Sequence, residues 1–242
     1  MHNSQYIMQN FEETRYAREM SLPEIGREGV ERLLGASVLI VGCGALGSVA
    51  AMYLAAAGVG RIGVADFDTV GLSNLQRQLS YTEDDLGRPK AETLAAKLKA
   101  INSTIKVESI GMMMTKSNLP RYMEEYDVVV EGSDNPSTKY LVSDTARTLG
   151  KPCVIGGVRG FVGQITTQLP DGPYYRDIFP DIPESCGLTP CSAIGVLGPV
   201  PGTIASLQAV EVIKLIAGAG QSLSGRLLQI DTRTMKTLAI NL

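Results

Sequence analysis

The chain has 242 residues, of which 44% are hydrophobic, a size and composition suited to one large α/β domain rather than two separate ones. Its net charge is −3 with no basic run, which argues against a nucleic-acid groove or an anionic membrane surface. No uninterrupted apolar stretch reaches the roughly 20 residues of a membrane span, and the segment with Asn3, Gln5 and Gln9 lacks a signal-peptide core, so a cytoplasmic protein is expected.

Residues 1–14 are expected to form a poorly ordered tail, with a single domain over residues 15–242. Arg15 and Arg18 stand three apart on one helical face, a pattern that a solvated surface also produces. Pro23 suits the first turn of a helix that runs to Leu34 and stops at Gly35. Val38 to Gly42 is an apolar run suited to a strand buried on both faces. The chain then turns through Gly42-Cys43-Gly44-Ala45-Leu46-Gly47 into an alanine-rich helix ending near Gly58, and a second apolar run, Ile62 to Ala65, stops at Asp66.

Such a turn calls for glycine to bend tightly, to admit a phosphate to the backbone and to seat the helix on the sheet. The helix start then offers amide groups and a positive dipole end to an anion. Asp66 follows Gly47 by 19 residues, near the roughly 20-residue spacing at which an acid meets a ribose hydroxyl. This half is therefore predicted to bind a nucleotide.

Leu72 to Gln78 has no clean period and reads as a loop at the carboxyl end of a parallel strand, where open α/β sheets bind ligands, so Arg77 is a phosphate candidate. Gly87-Arg88-Pro89-Lys90 opens a helix with Pro89 at its first position, and Lys90 in the first turn opposes the dipole unless an anion sits beside it. Ile105 to Ile110 is a further strand, and Met112 to Met114 reads as flexible core filler. Tyr126 to Val130 is a central strand leading to Glu131-Gly132-Ser133-Asp134-Asn135-Pro136, where Asn135 and Pro136 suit a helix cap and first turn and Asp134 comes near Asp66. That helix runs to Leu149 and is followed by a strand, Cys153 to Gly156.

Gly163 to Gln168 alternates polar with apolar, as antiparallel strands do. A long proline- and glycine-rich loop is expected at 170–201, then a buried helix from Gly202 to Ala217 and two short strands, Arg226 to Asp231 and Met235 to Asn241. The fold class is thus a Rossmann-like, mainly parallel sheet with helices on both faces, continued by antiparallel strands on its C-terminal side. Cys43 and Cys153 fall in predicted core positions, Cys186 and Cys191 in the long loop, and no pair has the two-residue gap of a zinc knuckle. The single histidine, His2, lies in the expected tail, which leaves the chemistry to carboxylates and cations.

Asp66, Arg77, Lys90 and Asp134 together match the needs of Mg-ATP, the phosphates taking the cations and the metal a carboxylate. A nicotinamide-dependent oxidoreductase would use the same fold but has no obvious need for Lys90. Attack of an already ionised carboxylate on the α-phosphate fits, because positioning and charge neutralisation supply most of the acceleration.

The motifs Arg15-Tyr16-x-Arg18, the glycine turn, Asp66-Phe67-Asp68, Ser73-Asn74-Leu75-Gln76-Arg77-Gln78, Gly87-Arg88-Pro89-Lys90, Gly132-Ser133-Asp134-Asn135 and Gly198-Pro199 with Ser206-Leu207-Gln208 resemble the ThiF/MoeB/HesA family of small adenylyltransferases, relatives of the ubiquitin-activating enzymes. The resemblance implies ATP-dependent adenylation of the C-terminal Gly-Gly of a small ubiquitin-like sulfur carrier, for thiamine or molybdopterin biosynthesis. It implies a nucleotide site of Gly42, Gly44, Ala45, Gly47, Asp66, Asp68, Ser73, Asn74, Arg77 and Lys90, with Asp66 on the ribose, Asn74, Arg77 and Lys90 on the phosphates and Asp134 on magnesium. It also implies a homodimer in which Arg18 reaches the phosphates of the other subunit, and a Cys191 that is either a sulfur-transfer thiol or an inert loop residue.

Two departures stand out. Tyr174 and Asp177 occupy the places of the family's first zinc-binding Cys-x-x-Cys pair, so no zinc is expected, and Ala45 replaces a glycine of the turn. No rhodanese-like domain is expected beside the adenylation domain, so the sulfur donor is expected to be a separate protein. A non-catalytic homologue that binds a carrier without activating it is the alternative that these departures keep open.

Overall fold

The computed structural model describes residues 14–180 and 195–242. The expected tail over residues 1–13, and Cys186 and Cys191, lie outside the described residues; Thr14, the last residue of that expectation, is helical.

A short helix α1 (Ala17–Met20) and α2 (Gly26–Gly35) precede strand β1 (Ser37–Val41). Pro23 lies in the turns ahead of α2 rather than inside its first turn, because Gly26, with φ +57°, reorients the chain where the helix begins. Helix α3 (Gly47–Ala56), β2 (Arg61–Ala65), α4 (Lys90–Ile101), β3 (Lys106–Ile110), α5 (Leu119–Glu124), β4 (Val128–Glu131), α6 (Pro136–Leu149), β5 (Cys153–Arg159), β6 (Val162–Gln168), α7 (Tyr175–Ile178), α8 (Pro199–Ala217), β7 (Arg226–Asp231) and β8 (Lys236–Asn241) follow. Pro89 stands just outside α4 with an extended ψ of 128°, so Lys90 itself is the first helical residue. Asn135 caps α6 as its position predicts, its side chain accepting the Thr138 amide at 2.8 Å, with Pro136 opening the helix.

The strands form one eight-stranded sheet in the order β3-β2-β1-β4-β5-β6-β7-β8. The pairs from β3 through β5 are parallel, and those from β5 through β8 are antiparallel. Alternation along β1 shows why a continuous apolar run was needed there: Val38 and Ile40 join one core, Leu39 and Val41 the other. The first core lies under α3, α4 and α8 through Leu54, Leu94, Leu98, Ile204 and Val212. The second lies under α5, α6 and α7 through Leu119, Met123, Tyr140, Val142 and Tyr175.

Helix α8 starts at Pro199, three residues before the expected Gly202, and α7 interrupts the stretch expected to be loop. The 19 residues of α8 are long and apolar enough to cross a membrane, yet half of that length is buried inside this domain. Gln208 on α8 donates to the Glu131 carbonyl at 2.8 Å, and Glu211 is buried with it, so α8 is a core helix. Tyr174 and Asp177 interact with each other, the Tyr174 amide donating to Asp177 at 2.9 Å, while the Arg147 guanidinium lies 4.1 Å from the Tyr174 ring.

Candidate nucleotide-binding site

The strand order reverses between β1 and β4, and in an open parallel sheet the crevice beyond the carboxyl ends of such neighbours is where ligands sit. From β1 the chain enters the glycine turn, and from β4 it enters Gly132 to Asn135. These two loops pack backbone on backbone. Gly42 holds φ +92°, and a Cβ there would lie 2.9 Å from the Ser133 nitrogen. A Cβ on Gly47 would lie 1.8 Å from the Gly42 oxygen, and one on Gly132 would lie 2.6 Å from the Gly47 nitrogen. No side chain caps the start of α3.

Between these loops opens a cavity of about 440 Å³. Of the residues expected at a nucleotide, Gly42, Gly44, Ala45, Asp66, Asp68, Ser73, Arg77, Lys90 and Asp134 line it. Gly47 and Asn74 do not. Gly47 is taken up in the close backbone contacts with Gly42 and Gly132 just described, and the Asn74 side-chain oxygen accepts the Gly71 amide at 3.0 Å, shaping the 3₁₀ turn Leu72–Asn74. Arg18 is exposed on α1 and does not line the cavity of its own chain, and Cys191 lies outside the described residues.

Asp66 is held by two backbone donors. Its Oδ2 accepts the Cys43 amide at 2.7 Å and its Oδ1 accepts the Asp68 amide at 2.9 Å, so one carboxylate ties the end of β2 to the glycine turn. The Cys43 thiol beneath is fully buried, and burial, reinforced by the Asp66 charge, pushes it well above the usual thiol range, so it packs rather than reacts. The Tyr81 hydroxyl donates to the Cys43 carbonyl at 2.8 Å and fixes the same turn from the other side.

Lys90 is only 5% exposed, and its ammonium meets one carboxylate, Asp68, at 3.3 Å. Arg77 donates to the Ser73 carbonyl at 2.9 Å and pairs with no acidic side chain among the described residues. Asp134 likewise has no ion pair or hydrogen bond among the described residues, which leaves a hard carboxylate oxygen facing the cavity. Two under-neutralised cations and a free carboxylate make a site for a polyphosphate, and the oxygen donor suits Mg²⁺.

Below Asp134 the structure holds what sequence reasoning missed. Glu131, fully buried at the end of β4, accepts the Ser133 amide at 2.8 Å and hydrogen bonds from the Ser133 hydroxyl and the Lys139 ammonium. Lys139 also donates to the Ser133 carbonyl at 2.9 Å and the Gly156 carbonyl at 2.6 Å. Burial pushes the Glu131 carboxyl up, while Lys139 and Ser133 pull it down. A lysine one turn into α6, behind a glutamate at a strand end, was the available signal.

The methionine expectation is corrected in part. Met114 is buried and Met112 and Met113 are exposed, and all three line the cavity together with Phe67. Both elements follow the carboxyl end of a parallel strand, so the same topological rule that picked out Asp66 covers them.

The comparisons with known proteins agree with this geometry. The sequence matches the ThiF family over residues 16–242. It is 46% identical over 221 residues to a SAMP-activating enzyme E1 of Haloferax volcanii, covering 91% of this chain and 82% of that one. It is 44% identical over 223 residues to a sulfur carrier protein adenylyltransferase of Thermus thermophilus, with 90% and 82% covered. Against the adenylyltransferase and sulfurtransferase MOCS3 of Arabidopsis thaliana the identity is 45%, but the match spans only 47% of that longer protein. Among solved structures, E. coli MccB with ATP superposes with a TM-score of 0.76 at 25% identity, covering 88% of this chain and 65% of MccB. A match that runs through the whole described domain, with two relatives above 40% identity covered over four-fifths of their length, makes the chain a member of the ThiF family.

Proposed function

We propose that this protein adenylates the C-terminal Gly-Gly carboxylate of a small ubiquitin-like sulfur-carrier protein, using ATP and Mg²⁺. The observation that carries the reading is the convergence of Asp66, Arg77, Lys90 and Asp134 on one cavity at the switch point of the sheet. The similarity to enzymes named for carrier activation supports the substrate class. The carrier's carboxylate oxygen attacks the α-phosphorus, the new acyl-phosphate bond forms, and pyrophosphate leaves with the electron pair of the broken anhydride bond.

Asp66, preset by two amide donors, accepts from the ribose hydroxyls. Arg77 and Lys90 draw the phosphates and stabilise the charge that moves onto pyrophosphate. Asp134 would hold Mg²⁺, which when bound offsets phosphate charge. Because the nucleophile arrives ionised, no side chain has to remove a proton from it.

The same reading includes a cytoplasmic homodimer in which Arg18 serves the neighbouring subunit's phosphates, a separate sulfur donor, and no zinc. Cys191 is assigned to a step after adenylation. Cys191→Ser that keeps adenylation but loses sulfur transfer supports this; retention of both makes the residue inert.

ATP–pyrophosphate exchange with Mg²⁺ and a panel of Gly-Gly-ending carriers tests the core of the proposal. Exchange that depends on one carrier is expected and names the pathway, thiamine, molybdopterin or another. ATP binding without exchange on any carrier would point to a carrier-binding homologue instead. Asp134→Ala is expected to abolish exchange with the fold intact by circular dichroism, and retained exchange would remove Asp134 from the metal role.

A further inference from the structure

The segment Ser73 to Gln78 carries two carboxamides, and the structure treats them differently. Asn74 uses its side-chain oxygen on the Gly71 amide, within its own turn. Gln78 is buried to 4% exposure in the cavity wall, and its carboxamide makes no hydrogen bond to any described residue; its Oε1 is a buried acceptor without a partner. Buried amides are ordinarily satisfied, and one left bare costs stability. The bare Oε1 is an acceptor and a ligand oxygen cannot relieve it; only the other end of the amide, the Nε2 donor, likewise without a hydrogen bond among the described residues, can be satisfied by an acceptor from outside the chain.

Its surroundings say what that is. A Cβ added to Gly44 would come within 3.6 Å of Gln78 Nε2, so the amide nitrogen lies against the glycine turn. The backbone of the same short segment carries Arg77, and Lys90 lines the same cavity. A neutral N–H donor at this point faces the region that the two cations make attractive to phosphate oxygens.

We infer that Gln78 is a further nucleotide-binding residue, its carboxamide nitrogen donating to a phosphate oxygen of the nucleotide seated over the Gly44 turn. This rests on the adenylation reading, since it takes ATP as the occupant of the cavity. It assigns Gln78 a role distinct from that of Arg77: the arginine supplies charge, whereas the amide fixes the direction from which one phosphate oxygen is held.

The test uses the full chain with Gln78→Met, which keeps length and flexibility but removes donor and acceptor, and Gln78→Glu, which sets a negative charge against the phosphates. Binding of ATP, ADP and adenosine is measured by calorimetry, alongside thermal unfolding with and without ATP. For Gln78→Met the expected result is a melting temperature without nucleotide that is unchanged or higher, because an unsatisfied amide has gone. ATP and ADP affinities should fall about tenfold or more, the order expected for one hydrogen bond to a charged group, with adenosine unaffected. Gln78→Glu should weaken ATP further than Gln78→Met. Equal ATP affinity in Gln78→Met, or a loss shared by adenosine, overturns the assignment, as does a lowered melting temperature with ATP affinity retained. Failure of the unaltered chain to bind ATP overturns the assignment and the adenylation reading together, whereas ATP binding that survives in both variants overturns the assignment alone.

Discussion

Two lysine–carboxylate pairs, Lys139–Glu131 and Lys90–Asp68, meet the cavity through their lysines, and they are built to different ends. Lys139 and Glu131 are both buried, and the lysine has two further carbonyl acceptors while the glutamate has two further donors from Ser133. Lys90 is as buried as Lys139, but its one partner, Asp68, has a side chain 53% exposed and stands 3.3 Å away. A buried charge is stable when every lone pair and proton is used, and it is available to a ligand when they are not. The first pair therefore holds the Asp134 loop in place, and the second leaves a cation waiting for an anion.

Breaking the saturated pair should have the largest effect. Lys139→Met strands Glu131 in the core and is expected to cost about 3–5 kcal/mol of folding stability in urea unfolding. A loss below about 1 kcal/mol would mean that the pair is not the scaffold of the Asp134 loop. Lys90→Ala should do the reverse, leaving stability nearly unchanged, since it removes a cation that opposes a helix dipole, while lowering ATP–pyrophosphate exchange by about 10²–10³. Were stability to fall and exchange to persist, the contrast between the two pairs would collapse.

A third pair sharpens the contrast through pH. Asp85, buried, takes hydrogen bonds from Lys97 and from the Thr82 amide and hydroxyl, and Lys97 above all holds its carboxyl below the usual range. A depressed folded value stabilises fully above the unfolded value of about 3.9 and is lost as pH falls through the folded value. Asp85→Asn should cost about 1–2 kcal/mol at pH 7, with the gap to the unaltered chain closing below about pH 4. The smallest effect belongs to Asp68→Asn: with so exposed a partner, Lys90 should lose less than about 1 kcal/mol of stability.

Much of this arrangement was legible because its signals are local. The glycine turn, the spacing to Asp66, the proline before Lys90 and the Asn135-Pro136 cap are all written within a few residues of where they act. The parallel, doubly buried character of the central strands followed from continuous apolar runs such as Val38 to Val41, but their order did not. What could not be read depends on contacts distant in sequence. Glu131 carried no role in the sequence, because Lys139 and Gly156 close around it only in the fold, and Asn74 and Gln78 differ in what the folded chain sets beside each amide. Met112 and Met113 resembled core filler because composition cannot say whether a residue just beyond a strand faces the sheet or the crevice.

The contact of Gly132 with Gly47 sets a rule for anyone who would re-engineer this protein. Since main chain meets main chain where Gly132 approaches Gly47, neither loop can be given a larger residue at that contact without displacing the other. A graft from a relative must carry both segments as one cassette, with the α3 start and the β4 end cut at matching points. Diversity in substrate choice would then have to arise elsewhere along the rim, where Phe67, Met112 and Met113 can change without moving the main chain.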